Sequence, residues 1–127
     1  MPLDLLIVDD SLAIRKILQR TLRQAELPLG TVYEAGDGSE ALDILQKHPV
    51  NLVLTDINMP NMNGLQLLQQ IKANQAWQAL PVILITTEGG QSTVLEAVQM
   101  GAAGYVRKPF TAEQIKAKLQ TYFEAGA

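Results

Sequence analysis

The chain predicts an α/β fold built on a five-stranded parallel sheet with helices on both faces. Three observations lead there. Short apolar runs alternate with stretches of helical periodicity along all 127 residues. The runs are continuous in Leu or β-branched residues instead of alternating with polar ones, which is the pattern of strands buried on both faces. Four of them deliver polar chemistry to their C-terminal ends: Asp9-Asp10, Asp56, Thr86-Thr87 and Lys108-Pro109. In an open α/β sheet that edge is where ligands bind.

Each element follows from local pattern. The first strand covers Leu3 to Val8. Ser11 is a candidate N-cap for a helix whose inner face reads Ile14, Ile17, Leu18, Leu22 and Ala25, with Pro28 and Gly30 ending it. Thr31 to Ala35 makes the second strand, Gly36-Asp37-Gly38 a turn, and Ser39 to Lys47 a helix with Leu42 and Leu45 inward. Asn51 to Thr55 is the third strand. Gly64 opens the next helix, carrying Leu67, Leu68 and Ile71. Pro81 starts the fourth strand, and Gly89-Gly90 leads into a helix with Val94, Ala97 and Val98 inward. Gly104 to Arg107 is the fifth strand. Thr111 and Gln114 form a capping box for the last helix, which turns Ile115, Leu119, Tyr122 and Phe123 inward.

Bulk properties remove several classes of function. At 13.9 kDa, 47% hydrophobic and 18% charged, the chain reads as one ordinary globular domain over residues 1–127, able to bury roughly two thirds of its unfolded surface. The absence of cysteine excludes disulfides, thiolate metal sites and cysteine nucleophiles. His48 is the only histidine, so Ser-His-Asp triads and multi-histidine metal sites are excluded too. No basic leader precedes the first strand and no apolar run is long enough to span a bilayer, so a cytoplasmic protein without a membrane partner is expected. A net charge of −3 argues against nucleic acid as a direct partner. Only four residues follow the last helix, and no attached output domain is expected.

The strand ends point to phosphoryl transfer onto an aspartate. Asp56 is the candidate nucleophile, since a carboxylate can attack phosphorus directly to give an acyl phosphate. A strand-end aspartate that merely caps a loop is the plainer alternative. Asp9 and Asp10 imply a cation, because charges about 4 Å apart interact by roughly 4 kcal/mol at an effective dielectric of 20, and converging carboxylates repel unless neutralised. Magnesium favours hard oxygen ligands and keeps several waters, which suits such a site. Either acid also has a second reading as a helix cap. Thr86 and Lys108 offer a hydroxyl and an ammonium to phosphoryl oxygens, against the plainer readings of a strand residue and an exposed loop charge.

Taken together, Asp-Asp after the first strand, Asp-x-x-Met-Pro after the third, Thr after the fourth and Lys-Pro after the fifth resemble the receiver domain of bacterial response regulators. The likeness covers essentially the whole chain and is nearest to the single-domain chemotaxis regulators. It implies a flavodoxin-like (βα)5 fold with strand order 2-1-3-4-5. It implies magnesium held directly by Asp10, Asp56 and the backbone carbonyl of Asn58, with Asp9 acting through water. It also implies a cis bond before Pro109, a Thr86–Tyr105 switch, and Asn58 and Glu88 as residues tuning dephosphorylation. The implied partners are a sensor histidine kinase, a phosphatase and a downstream protein target. On this reading the chain is no enzyme beyond its own phosphorylation and dephosphorylation.

Other features carry less. Arg15, Lys16, Gln19, Arg20 and Arg23 make an outward basic stripe on the first helix, either a solvated face or a dock for an acidic kinase partner. Trp77 and His48 read as packing residues. An aspartate-nucleophile phosphohydrolase would carry Asp-x-Asp after the first strand, which is missing here. A flavin protein would need a Ser/Thr-Gly-rich loop where Asp9-Asp10 stands. A relay intermediate or a phosphorylation-independent scaffold remain further alternatives. Two departures from the chemotaxis pattern, Ile57 after the acceptor and Gly89-Gly90 after Thr86, bear on partner contacts and leave the chemistry intact.

Overall fold

A computed structural model of the chain describes residues 3–86 and 91–125. Five strands and five helices alternate: β1 (Leu3–Val8), α1 (Leu12–Gln24), β2 (Leu29–Ala35), α2 (Gly38–Lys47), β3 (Leu52–Thr55), α3 (Gly64–Ala73), β4 (Val82–Thr86), α4 (Gln91–Gln99), β5 (Gly104–Arg107) and α5 (Ala112–Ala125). The strands form one parallel sheet in the order β2-β1-β3-β4-β5. The apolar runs are buried because they lie between two helical layers. Leu5 and Ile7 pack with Leu18 and Leu22 of α1 and with Ile115, Leu119 and Phe123 of α5. The alternate residues Leu6 and Val8 face Ala41 and Leu45 of α2 and Leu67, Leu68 and Ile71 of α3. Along β1 alone, Leu5 through Val8 are fully buried, so the strand that leads into Asp9 is an inner, close-packed strand of the sheet.

The reversal in order between β1 and β3 opens a crevice at their C-terminal ends, where the acids lie. Register brings them level. Val8 pairs with Ala35 and Thr55, so Asp9 and Asp56 leave the sheet side by side.

Several boundaries differ from the sequence expectation. The first helix stops at Gln24, before Pro28, because Glu26 takes a left-handed conformation (φ 59°) just past the cap. Gly30 lies inside β2, where a side chain would collide with the Asp4 carboxylate that accepts Thr31 N–H at 2.7 Å. Ile17 and Val98, both expected inward, are 47% and 54% exposed. In α1 and α4 the buried stripe is narrower than the apolar pattern suggests. Ala97 is buried against Ile57 and Leu84, whereas the Val94 side chain lies outside the described residues. Trp77 packs on the α2–α3 side, and His48 stacks on Tyr33 with ring centroids 4.7 Å apart. Among the described residues no helix is long and apolar enough to cross a membrane.

Candidate functional site

Three carboxylates and one ammonium meet at the crevice. One oxygen from each of Asp9, Asp10 and Asp56 lies within 4.8 Å of the others. Asp9 is 2% exposed; its Oδ1 caps the turn into α1 by accepting Ser11 N–H at 2.9 Å, and its Oδ2 accepts from Lys108 Nζ at 2.9 Å. Asp56 accepts Ile57 N–H at 2.7 Å on Oδ1 and Lys108 Nζ at 3.3 Å on Oδ2. Asp10 faces solvent. Lys108 reaches both acids from the end of β5 and precedes a cis peptide bond to Pro109.

The electrostatics follow from burial. Desolvation pushes the Asp56 carboxyl above the usual carboxylate range, and the Asp9 charge adds to it, although the Lys108 ammonium and the Ile57 N–H pull the other way. For Lys108, burial alone would lower the pKa. The hydrogen bond to Asp9 and the charges of Asp56 and Asp9 outweigh it and raise it. One ammonium cannot neutralise three carboxylates. The negative charge left over, borne on hard oxygen donors, fits a divalent cation of the magnesium type.

The neighbouring backbone is tightly set. Asn58 is exposed two residues beyond Asp56. Gly64 N–H donates to Ile57 O at 2.8 Å, and a Cβ at Gly64 would run into the Asp56 carbonyl oxygen. Asn63 caps α3 in a reciprocal capping box with Gln66. Thr86 ends β4 in register with Arg107; its side chain, like Glu88 and Gly89-Gly90, lies outside the described residues. Tyr105, in register with Leu84, is 38% exposed with Lys118 Nζ 5.9 Å from its ring centroid. An open groove of about 850 Å³ runs beside it, lined by Tyr105, Lys108, Pro109, Gln114 and Lys118 among others.

Two features escaped the sequence reading. Arg15 is not part of a free basic stripe. Its Nε binds Glu34 Oε1 at 3.0 Å and its Nη1 donates to the Asp9 carbonyl at 2.6 Å, tying α1 to β2 beneath the site. Asp37, expected only in a turn, is buried and bonded to Asn61 of the loop that follows Asp56. An arginine's helix position gives no sign of which neighbour it reaches, and a Gly-Asp-Gly turn gives no sign of a distant amide.

The chain matches the family model described as the response regulator receiver domain over residues 5–120. It is 41% identical over 124 residues to a chemotaxis protein CheY homolog of Campylobacter jejuni, covering 97% of this chain and 94% of that protein. It is 43% identical over 120 residues to chemotaxis protein CheY-3 of Vibrio cholerae, covering 94% and 91%. Among solved structures, V. cholerae CheY4 superposes with a TM-score of 0.86 at 32% identity, covering 96% of this chain and 99% of that one. A chain of the CheX-CheY complex of Borrelia burgdorferi with BeF3 and Mg superposes with a TM-score of 0.87 at 27% identity, covering 97% and 90%.

Proposed function

The chain belongs to the response regulator receiver domain family, and from that premise we propose that it is a two-component phosphoswitch with Asp56 as acceptor. The observation that carries this reading is the partly buried Asp56 carboxylate held 3.3 Å from Lys108 amid two further acids at the rim of the sheet. The donor is a phosphohistidine of a sensor kinase. An Asp56 oxygen attacks phosphorus, an O–P bond forms, and the P–N bond breaks with its electron pair leaving on the imidazole. Lys108 offers its ammonium to an oxygen of the transferring group, as the partner already of the acceptor, and Thr86 supplies a hydroxyl from the adjacent strand end. Asp10, Asp56 and the Asn58 carbonyl would hold magnesium directly, with Asp9 acting through water, and the ion would supply positive charge to the phosphoryl oxygens.

Signalling then consists of a change in binding. The groove beside Tyr105 is the face offered to a downstream protein, and the CheY relatives favour chemotaxis as the pathway. A phosphatase shortens the signal, with Asn58 and Glu88 setting access of the attacking water. The chain acts on no other substrate, and cytoplasmic residence follows from the kinase partner.

Incubation with acetyl phosphate and magnesium tests the acceptor. Intact-mass spectrometry should find one labile phosphoryl adduct on the wild type, none on Asp56→Asn, and a greatly reduced rate for Lys108→Met. Equal labelling of Asp56→Asn would remove Asp56 from the role. A phosphoform stable for many hours would favour a relay over a chemotaxis switch.

A further inference from the structure

The loop after β3 is anchored at two places. At its far end Gly64 sits against the Asp56–Ile57 backbone. At its middle it is fastened to the start of α2, which contributes nothing else to the site. Asn61 takes a left-handed conformation (φ 64°) and its Nδ2 donates to Asp37 Oδ2 at 2.8 Å. Asp37, only 7% exposed, uses its other oxygen to cap α2, accepting Glu40 N–H at 2.9 Å. Gly38 N–H donates to Met62 O at 3.1 Å, and a Cβ at Gly38 would lie 2.6 Å from Met62 Cγ. The Asn61 amide and the Glu40 N–H hold the Asp37 carboxyl below the usual range, against a smaller opposing effect of burial, so the acceptor is anionic at neutral pH.

We infer that the Asp37–Asn61 clasp is a positioning device for the cation site: it sets the loop segment between Asp56 and Asn61 so that the Asn58 carbonyl can join the three carboxylates. The inference rests on the reading of those carboxylates as a magnesium site. Asp37 touches neither cation nor phosphoryl group; it acts through Asn61 and the three residues between Asn61 and Asp56's neighbour, Ile57. A buried charge-assisted hydrogen bond suits this task, because it adds a directed contact to the backbone hydrogen bonds and the Met59 and Met62 packing that also hold the loop. The α2 N-terminus thereby becomes part of the support of the site.

The test is the magnesium dissociation constant of the folded protein, measured by isothermal titration calorimetry in three variants. Asp37→Ser keeps a helix cap but is too short to reach Asn61. Asn61→Gly keeps the left-handed backbone but has no amide. Each should raise the dissociation constant by about tenfold, the low end of the range for partners that orient metal ligands. The double variant should bind within about twofold of either single one, as expected of two halves of one interaction. Melting curves without metal establish that each variant is folded.

Unchanged affinity in Asp37→Ser and Asn61→Gly, with the wild type binding normally, would overturn the clasp and leave the carboxylate site standing. A wild type that binds no magnesium would remove both the site and the clasp.

Discussion

Asp56 is ionised at neutral pH in a place that disfavours ionisation, with burial outweighing the attraction of Lys108. A group whose folded pKa is raised binds its proton more tightly in the native state, so ionising it destabilises the fold. That cost is present above the raised folded value and disappears as pH falls below the ordinary carboxylate range. Asp56→Asn should therefore melt a few degrees above the wild type in metal-free buffer at neutral pH. The gap should close as the solution is acidified. Added magnesium should stabilise the wild type more than the variant, since it binds only the folded cluster. Scanning calorimetry across a pH series checks the sign; a metal-free variant less stable than the wild type at neutral pH would mean that Lys108 more than compensates burial. The placement of Asp9, Asp56 and Lys108 was legible from sequence because each directly follows an apolar strand. The partners of Arg15 and Asp37 were not, since they depend on how long side chains fold back across neighbouring elements.

At the scale of elements, helix starts were legible wherever a capping residue spoke for itself, as with Ser11 and the Thr111–Gln114 pair. The Asn63–Gln66 box begins one residue before Gly64, the residue that opens α3. The structure gives Gly64 a different reason to be glycine. It is the point where α3 comes closest to the strand end that carries Asp56. Alanine at a helix position ordinarily gains up to about 1 kcal/mol over glycine. Here its Cβ would push on the Asp56 carbonyl, so Gly64→Ala should instead lose about 2 kcal/mol in urea denaturation, the usual cost of forcing a packed backbone apart. Phosphorylation by acetyl phosphate should slow as well, because the displaced atoms belong to the acceptor residue. A Gly64→Ala protein of raised stability would show that the loop yields freely. Ile17 and Val98 failed for a related reason: periodicity finds the apolar face of a helix but not how much of it the sheet covers.

Across the whole molecule, the sheet links the acidic rim to the face formed by α4, β5 and α5. Thr86 ends β4 two residues beyond Leu84, and Leu84 is the register partner of Tyr105. Tyr105 stands 38% exposed near Lys118, above a crevice lined by Ile57, Leu84, Ala97 and Ala102. The ring stands outward with a cation 5.9 Å from its centroid, and the crevice of about 10 Å³ beneath it, next to the residue that follows Asp56, would have to widen for the ring to turn inward. The proposed phosphoryl group on Asp56 would add charge and acceptor oxygens, which would draw the Thr86 hydroxyl and bias Tyr105 inward. Two positions of similar energy are required for such a bias to show. Beryllofluoride, as a phosphoryl mimic, should shift amide resonances along α4, β5 and α5 of the wild type. Thr86→Ala should still bind the mimic, with shifts near Asp56, and lose most of the shifts around Tyr105. Tyr105→Trp, with a larger apolar ring to bury, should show part of them without the mimic. If Thr86→Ala keeps the full pattern on that face, the hydroxyl is not the link, and the signal runs from Asp56 through Ile57 and its contacts with Leu84 and Ala97 instead.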